Sequence, residues 1–203
     1  MASVYDGFVS RHLNRHLSRP LARLLARTPV TPNQVSFAAL GVAGASCLTF
    51  ALGQPVAGAL LAQASSIVDG VDGDLARAKG MTSPFGGFMD SVLDRYADGL
   101  ILLGLTLWAA SAAGGAAYVW ATGFAALLGT FAVTYTRARI EHVPRNVFDR
   151  GLTSAASRDV RLLIVMVGGL AGQGLATLAL LAYLTNFVVL LRLLQARRLL
   201  KGV

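Results

Sequence analysis

The sequence contains few charged residues and a single cysteine. Of its 203 residues, 14% are charged and 55% are hydrophobic, and the mean hydropathy is +0.60. Because a soluble globular domain has about 25% charged residues, this composition excludes an ordinary soluble domain and indicates a membrane protein. The lone cysteine, Cys47, excludes a disulfide within the chain. The first residues lack the apolar core of a signal peptide, so none is predicted.

Charge is absent altogether from three long stretches, residues 28–68, 99–136 and 162–191. They run for about 40, 38 and 30 residues, whereas one membrane span needs about 20 apolar residues. Each stretch therefore predicts two helices joined by a turn, and glycine-containing turn signals lie near the middles, at 53–55, 112–115 and 172–174. The predicted fold is an all-α integral membrane protein with six transmembrane helices.

The distribution of charge predicts which side of the membrane each end occupies. Every charged residue falls outside the three stretches, on one face of the predicted bundle, and the net charge is +8. Lysine and arginine collect on the cytoplasmic side of membrane proteins. We therefore expect a multi-pass protein of the cell membrane, with both termini and the charged face cytoplasmic. The positive charge needs no nucleic acid partner to explain it.

The N-terminal segment, residues 1–28, has the pattern of an amphipathic helix on the bilayer surface. Leucines recur at helical spacing on one face and arginines recur every fourth residue on another: Leu13, Leu17, Leu21, Leu24 and Leu25, against Arg11, Arg15, Arg19, Arg23 and Arg27. The six-helix domain is predicted over residues 29–203. It opens at Thr31, which suits the N-cap of a helix that starts with Pro32 and closes a capping box with Gln34.

Five of the ten acidic residues lie within residues 69–94, between two of the apolar runs: Asp69, Asp72, Asp74, Asp90 and Asp94. The i,i+3 and i,i+4 spacings place Asp69 with Asp72 on one helix face, and Asp90 with Asp94 on another. Four carboxylates aimed into one space repel each other unless a cation lies between them. Such hard oxygen ligands suit Mg²⁺, Mn²⁺ or Ca²⁺. The alternative is a structural role, in which the carboxylates pair with arginines; for Asp98, one turn further on, we expect that role.

These residues carry a resemblance to a known family. The pattern D-x2-D-G-x2-A-R-x8-G-x3-D-x3-D begins at Asp69 and ends at Asp94. It resembles the signature of the CDP-alcohol phosphotransferases, which move the phospho-alcohol part of a CDP-alcohol to an acceptor hydroxyl and release CMP. The resemblance implies a divalent-metal enzyme with two Mg²⁺ or Mn²⁺ ions, and a homodimer.

The same resemblance implies the roles of individual residues. The metal ligands would be Asp69, Asp72, Asp90 and Asp94. Asp94 would also be the general base. Contacts to the nucleotide would come from Asp69, Asp72, Gly73, Ala76, Arg77 and Gly86. The variable motif position Asp74 and the helix-opening Asn33 are weaker candidates for contact with the site.

A second basic cluster indicates that the acceptor carries a phosphate, since guanidinium groups suit phosphate geometry. Its members are Arg137, Arg139, Arg158, Arg161 and Arg192. The cluster resembles the inositol-phosphate-using branch of the family, and the N-terminal arm (Asp6-Gly7-x-Val9-Ser10-Arg11-x2-Asn14-Arg15) resembles the di-myo-inositol-phosphate-phosphate synthases. The expected substrates are CDP-inositol and inositol 1-phosphate. The alternatives are a phosphatidylinositol-phosphate synthase, which uses CDP-diacylglycerol, and another phospholipid synthase such as phosphatidylglycerophosphate synthase.

Two other classes of protein also place carboxylates in membrane helices. A cation transporter does so along its ion path, but here the acids cluster at one face and the halves show no repeat. A membrane prenyltransferase also has aspartate-rich metal sites, but with a longer chain and different spacing. The sequence favours the phosphotransferase over both.

Overall fold

The protein is described here from a computed structural model, which covers residues 14–139, 148 and 151–200 without the side chain of residue 200. Helices and no strands make up this part of the chain. The seven α-helices are α1 (Arg15–Leu25), α2 (Pro32–Ala51), α3 (Pro55–Lys79), α4 (Pro84–Ala112), α5 (Ala117–Ala138), α6 (Arg158–Leu170) and α7 (Gly174–Leu200). A 3-10 helix, Gly151–Ser154, precedes α6. Of the N-terminal arm motif, residues 6–11 lie outside the described residues, whereas Asn14 and Arg15 lie within them.

The three predicted turns are confirmed. Each separates two helices, and each contains glycine in the left-handed region, with φ of 74° at Gly53, 62° at Gly114, 79° at Gly115 and 70° at Gly172. A side chain at these positions would be strained, because L-residues rarely adopt positive φ. The glycines therefore stop one helix and allow the chain to reverse into the next.

The helix starts also follow from local sequence. Thr31 accepts a hydrogen bond from the Gln34 amide at 3.4 Å, and the Gln34 side chain accepts one from the Thr31 amide at 2.9 Å. This is the predicted capping box. Proline occupies the first helical position of α2, α3 and α4, where its missing N–H costs nothing.

The helices pack around a core that is rich in alanine, with larger side chains at a few positions. Helix α2 packs against α3 and α4, α5 against α7, and α6 against α3. Phe50, Ile101, Leu105 and Leu178 are fully buried. Many large hydrophobic side chains lie on the outside instead, including Phe124 at 66% exposure. An apolar exterior over a packed core is what a lipid-facing protein requires.

Within the described residues, three helices are long and apolar enough to cross a membrane: α2, α5 and residues Gly174–Leu199 of α7. Helices α3 and α4 are 25 and 29 residues long, but each carries charges at one end. Helix α6 has 13 residues and at 1.5 Å per residue spans ~20 Å, against ~30 Å of hydrocarbon. The structure thus supports a helical membrane protein, and the full set of six spans stays a prediction.

Small and polar side chains of α1 form much of its contact with α3. Asn14, Ser18 and Ala22 are buried at four-residue intervals. Asn14 donates to Ser66 Oγ at 3.0 Å and accepts from Gln63 Nε2 at 2.8 Å. A narrow stripe of small and polar residues, absent from the sequence prediction, therefore fixes this helix to the bundle.

Candidate metal and nucleotide site

Three of the predicted metal ligands converge at the polar ends of α3 and α4. Asp69 and Asp72 on α3 and Asp90 on α4 each offer a carboxylate oxygen, and these oxygens lie within 4.8 Å of one another. Carboxylates at this separation repel unless a cation shares them. Three hard oxygen donors fit a divalent cation such as Mg²⁺ or Mn²⁺. The residues present therefore fit the predicted metal.

The carboxylate of Asp72 is held on both of its oxygens. The Ser36 hydroxyl of α2 donates to Oδ2, and the Gly73 amide donates to Oδ1 at 2.5 Å. Ser36 is 5% exposed, so its hydroxyl is a fixed partner rather than a solvated one. The sequence prediction missed Ser36, because nothing in an apolar helix marks one serine as the neighbour of a carboxylate 36 residues away.

Asp94 lies outside that group of three and is connected to it by Arg158. The Nη1 atom of Arg158 lies 3.0 Å from Asp94 Oδ1 and 2.6 Å from Asp69 Oδ2. Arg95 approaches the other Asp94 oxygen at 3.5 Å. The structure thus joins the predicted base to the predicted metal ligands through one guanidinium group from α6.

Asp98 has the arginine-pairing role that the sequence predicted. Its side chain is 3% exposed and lies 2.7 Å from Arg161, 3.1 Å from Arg158 and 3.6 Å from Arg95. A buried carboxylate with three guanidinium partners stays ionised and orders them. Asp98 therefore helps to hold Arg158 against the acidic group.

The predicted nucleotide residues lie beside the acidic group, on two helices. Gly73, Ala76 and Arg77 are on the polar end of α3, and Gly86 is in the first turn of α4, where its amide donates to Ser83 Oγ at 3.0 Å. A Cβ placed on Gly86 would lie 3.8 Å from Asn33 Oδ1. The exposed start of α2 thus adjoins this group.

Asp74 accepts one guanidinium on each oxygen. Arg15 of α1 reaches Oδ2 and Arg77 reaches Oδ1, both at 2.6 Å. Burial alone would raise the pKa of Asp74, but the hydrogen bond from Arg77 and the charge of Arg15 hold it below its ordinary value. The carboxylate therefore links helix α1 to a predicted nucleotide contact.

The five predicted phosphate-binding arginines have different surroundings. Arg161 is buried and also donates to the Ala156 carbonyl at 2.7 Å. Arg192 donates to the carbonyls of Val133 at 2.5 Å and Thr153 at 2.8 Å. Arg137 is half-buried and Arg139 exposed at the end of α5. Arg158 contacts the predicted metal ligand Asp69 and the predicted base Asp94.

This arrangement defines a class of protein, the helical membrane proteins with a carboxylate group at one end of the bundle that could hold a divalent cation. The sequence model of the CDP-alcohol phosphatidyltransferase family matches residues 29–194. Because that match covers most of the chain, the protein belongs to this family.

Two curated relatives are informative. The "bifunctional IPC transferase and DIPP synthase" of Rubrobacter xylanophilus is 46% identical over 97% of this chain, which spans 44% of that relative. The "archaetidylinositol phosphate synthase" of Methanothermobacter thermautotrophicus is 33% identical, over 86% of this chain and 87% of the relative. The chain thus spans less than half of the bifunctional relative and most of the other.

Solved structures show the same fold. The phosphatidylinositol phosphate synthase of Mycobacterium tuberculosis with CDP-DAG bound is 25% identical, with a TM-score of 0.71 over 88% of this chain and 92% of that one. The same enzyme in complex with manganese and citrate is 24% identical, with a TM-score of 0.68 over 87% of each chain. The helical bundle of this protein therefore has an experimentally observed architecture.

Proposed function

We propose that this chain transfers the phospho-alcohol part of a CDP-alcohol to a hydroxyl of a phosphorylated polyol and releases CMP. The acceptor oxygen forms a bond to the phosphorus that carries the donor alcohol. The bond from that phosphorus to the bridging oxygen breaks, and CMP leaves with the electron pair. The acceptor's proton goes to a carboxylate.

The observation that carries the proposal is the convergence of Asp69, Asp72 and Asp90 with Asp94 nearby, at the positions of the family motif. We propose that these four residues hold two divalent cations, Mg²⁺ or Mn²⁺. When bound, the cations would neutralise the charge on the pyrophosphate and on the departing phosphate. Through these cations, Asp69 and Asp72 would also contact the nucleotide.

Asp94 is the proposed general base. It contacts Arg158 and is 18% exposed, so it is both oriented and reachable by a substrate hydroxyl. A carboxylate can take the proton as the acceptor oxygen attacks, which makes that oxygen a stronger nucleophile. Arg158 fixes the direction in which the carboxylate points.

The nucleotide is proposed to lie along the polar end of α3, facing the start of α4. Gly73, Ala76 and Gly86 carry no side chain larger than a methyl group, which leaves room for close approach of a ligand to the backbone. Arg77, whose side chain is 53% exposed, supplies a positive charge for a phosphate of the donor. Asn33 borders the same space.

The acceptor's phosphate is proposed to bind among Arg137, Arg139, Arg158, Arg161 and Arg192. Arg158 is placed for direct contact, since it already lies against the base and a metal ligand. Arg161 and Arg192, which donate to backbone carbonyls around the start of α6, support that position by holding the chain that carries Arg158.

The proposed substrates are CDP-inositol and inositol 1-phosphate, with di-myo-inositol-phosphate phosphate as product. The 46% identity to a protein named as a bifunctional IPC transferase and DIPP synthase supports this choice. A lipid donor such as CDP-diacylglycerol is the second candidate. The archaetidylinositol phosphate synthase relative and the CDP-DAG-bound structure favour it.

The test is CMP release by the purified chain in detergent with Mg²⁺ or Mn²⁺. CDP-inositol and CDP-diacylglycerol are each supplied with inositol 1-phosphate, with inositol and with glycerol 3-phosphate. We expect release with CDP-inositol and inositol 1-phosphate and none with unphosphorylated inositol. Release only with CDP-diacylglycerol would select the second candidate, and no release from any pair would overturn the proposal.

The proposed function also implies a membrane topology. We propose six membrane-spanning helices (residues 29–203) behind an amphipathic surface helix (residues 1–28). The active site and both termini would face the cytoplasm. The exposed Leu17, Leu21 and Leu24 of α1 supply the apolar face that such a surface helix needs. A homodimer, implied by the family, is checked by light scattering of the purified protein.

A further inference from the structure

We infer that Asp74, which occupies a variable position of the motif, is a positioning residue for Arg77 in nucleotide binding, and that it is itself anchored by Arg15 of the surface helix α1. The inference rests on the proposed nucleotide role of Arg77. It assigns Asp74 an indirect role rather than contact with the nucleotide.

Of the three side chains, Arg15 and Asp74 are largely buried, and Arg77 is the more exposed. Asp74 uses one oxygen for Arg15 and the other for Arg77, each at 2.6 Å. The Arg15 and Asp74 side chains are 11% and 17% exposed, whereas that of Arg77 is 53% exposed. The carboxylate is thus held from within the protein and holds the more exposed guanidinium in turn.

The position in which Arg77 is held is the one proposed for the nucleotide. A Cβ placed on Gly73 would lie 3.6 Å from both Nη1 and Nη2 of Arg77, so the guanidinium lies against the glycine of the motif. An exposed arginine otherwise samples many rotamers. A guanidinium that is already oriented loses less entropy when it binds a phosphate.

The anchor extends to the docking of α1. Arg15 follows Asn14, which is buried in hydrogen bonds with Ser66 and Gln63 of α3. One turn on, Ser18 lies so close to α3 that a Cβ on Gly70 would be 3.5 Å from its hydroxyl oxygen. The seat of α1 on α3 therefore determines where Arg15 can meet Asp74.

The test is a double-mutant cycle read by CMP binding to the full chain in detergent with Mn²⁺, using isothermal calorimetry. We expect Asp74→Asn to raise the Kd for CMP by about tenfold, because an unheld Arg77 must be ordered by the ligand. Arg77→Gln should raise it at least as much. The double variant should equal Arg77→Gln alone, because the effect of Asp74 passes through Arg77.

Steady-state kinetics provide a readout that a general loss of stability would not produce. Asp74→Asn should raise the KM for the CDP-alcohol and leave both kcat and the KM for the acceptor unchanged. Arg15→Gln should partly reproduce the loss of CMP affinity in the wild-type background and have no effect in the Arg77→Gln background. If Asp74→Asn does not fold, Arg15→Gln tests the same positioning role. Arg19→Gln, an exposed arginine of the same helix, is the matched control and should leave the Kd unchanged.

The outcomes separate this inference from the proposed function. Absence of CMP binding by the wild-type protein would remove the nucleotide site itself, and with it the proposed function. Unchanged affinity in Asp74→Asn, with normal binding by the wild type, would overturn only the positioning role. So would a double variant in which the two losses of affinity multiply.

Discussion

Ser36 shows how a single buried hydroxyl can orient the carboxylate of a proposed metal ligand. It reaches from α2 to the carboxylate of Asp72 on α3, and at 5% exposure it leaves water little access to replace that bond. Partners of this kind orient the ligands of a metal site, and their removal typically lowers metal affinity 10–100-fold. The contact makes Ser36 a test of the proposed metal site that leaves all four aspartates in place.

We expect Ser36→Ala to weaken Mn²⁺ binding about tenfold, because the Asp72 carboxylate loses its fixed orientation. The measurement is a Mn²⁺ titration followed by electron paramagnetic resonance. Ser65→Ala is the matched control, since Ser65 is a buried serine that donates to a backbone carbonyl, that of Ala39 at 3.0 Å. Equal Mn²⁺ affinity in the wild type and Ser36→Ala would contradict the role of Ser36.

Asp94→Asn should abolish most turnover, by at least about a hundredfold, because an amide cannot accept the proton of the acceptor hydroxyl. The amide keeps the size of the side chain, and the nucleotide residues on α3 are untouched. CMP binding should therefore survive. Turnover by CMP release and affinity by calorimetry are measured on the same preparation, and full activity in the variant would remove Asp94 as the base.

At the scale of elements, the close approach of α2 and α4 depends on Gly104. A Cβ at this position would lie 2.5 Å from Cys47 Cα and 2.8 Å from its carbonyl oxygen. These are backbone atoms, so no rotamer change can make room. The pairing of α2 with α4 brings the helix of Ser36 and the helix of Asp90 and Asp94 into one bundle, so this contact also supports the site.

Gly104→Ala should therefore lower stability by roughly 1–3 kcal/mol, as overpacked cores do. The midpoint of thermal unfolding in detergent is the measurement. Gly41→Ala makes the same change in α2 where a Cβ has no neighbour within 4 Å. There we expect no loss, or a gain of up to about 1 kcal/mol, because alanine favours helix over glycine. Equal midpoints for the two variants would contradict the close packing.

At the scale of the whole molecule, the proposed topology places the turns and the charged ends on opposite sides of the membrane. Gln54 lies in the first turn and is exposed, and Arg198 lies near the end of α7 and is exposed. The lone cysteine, Cys47, is buried, so it can be replaced to give a cysteine-free background. The two positions then report the two faces independently.

In a Cys47→Ala background, Gln54→Cys should react with a membrane-impermeant maleimide in intact cells. Arg198→Cys should react only after permeabilisation, because the positive-inside rule places the basic ends in the cytoplasm. Labelling is measured by gel shift. Reaction of both cysteines in intact cells would contradict the six-span arrangement. Reaction of Arg198→Cys alone in intact cells would show the opposite orientation in the membrane.

The sequence by itself predicts the helices, their turns and the chemistry of the acidic group. Charge-free runs, glycines and a capping box act through neighbours in sequence, so they can be recognised without a structure. The predicted turns near Gly53, Gly114 and Gly172 and the helix start at Thr31 are all confirmed. The i,i+3 and i,i+4 spacings likewise place Asp69 beside Asp72, and Asp90 beside Asp94. These local rules do not predict which residues of other helices contact these aspartates.

The tertiary structure determines those contacts, because packing brings together residues that lie far apart in the sequence. It places Asp90 of α4 against Asp69 and Asp72 of α3, and Ser36 of α2 against Asp72. Of the five predicted phosphate-binding arginines, it directs Arg158 to the acidic group and Arg192 to backbone carbonyls. It also buries Asn14, Ser18 and Ala22 of α1 and leaves Leu17, Leu21 and Leu24 exposed. Local propensity follows from neighbours in sequence, whereas these contacts follow from the way seven helices fill one volume.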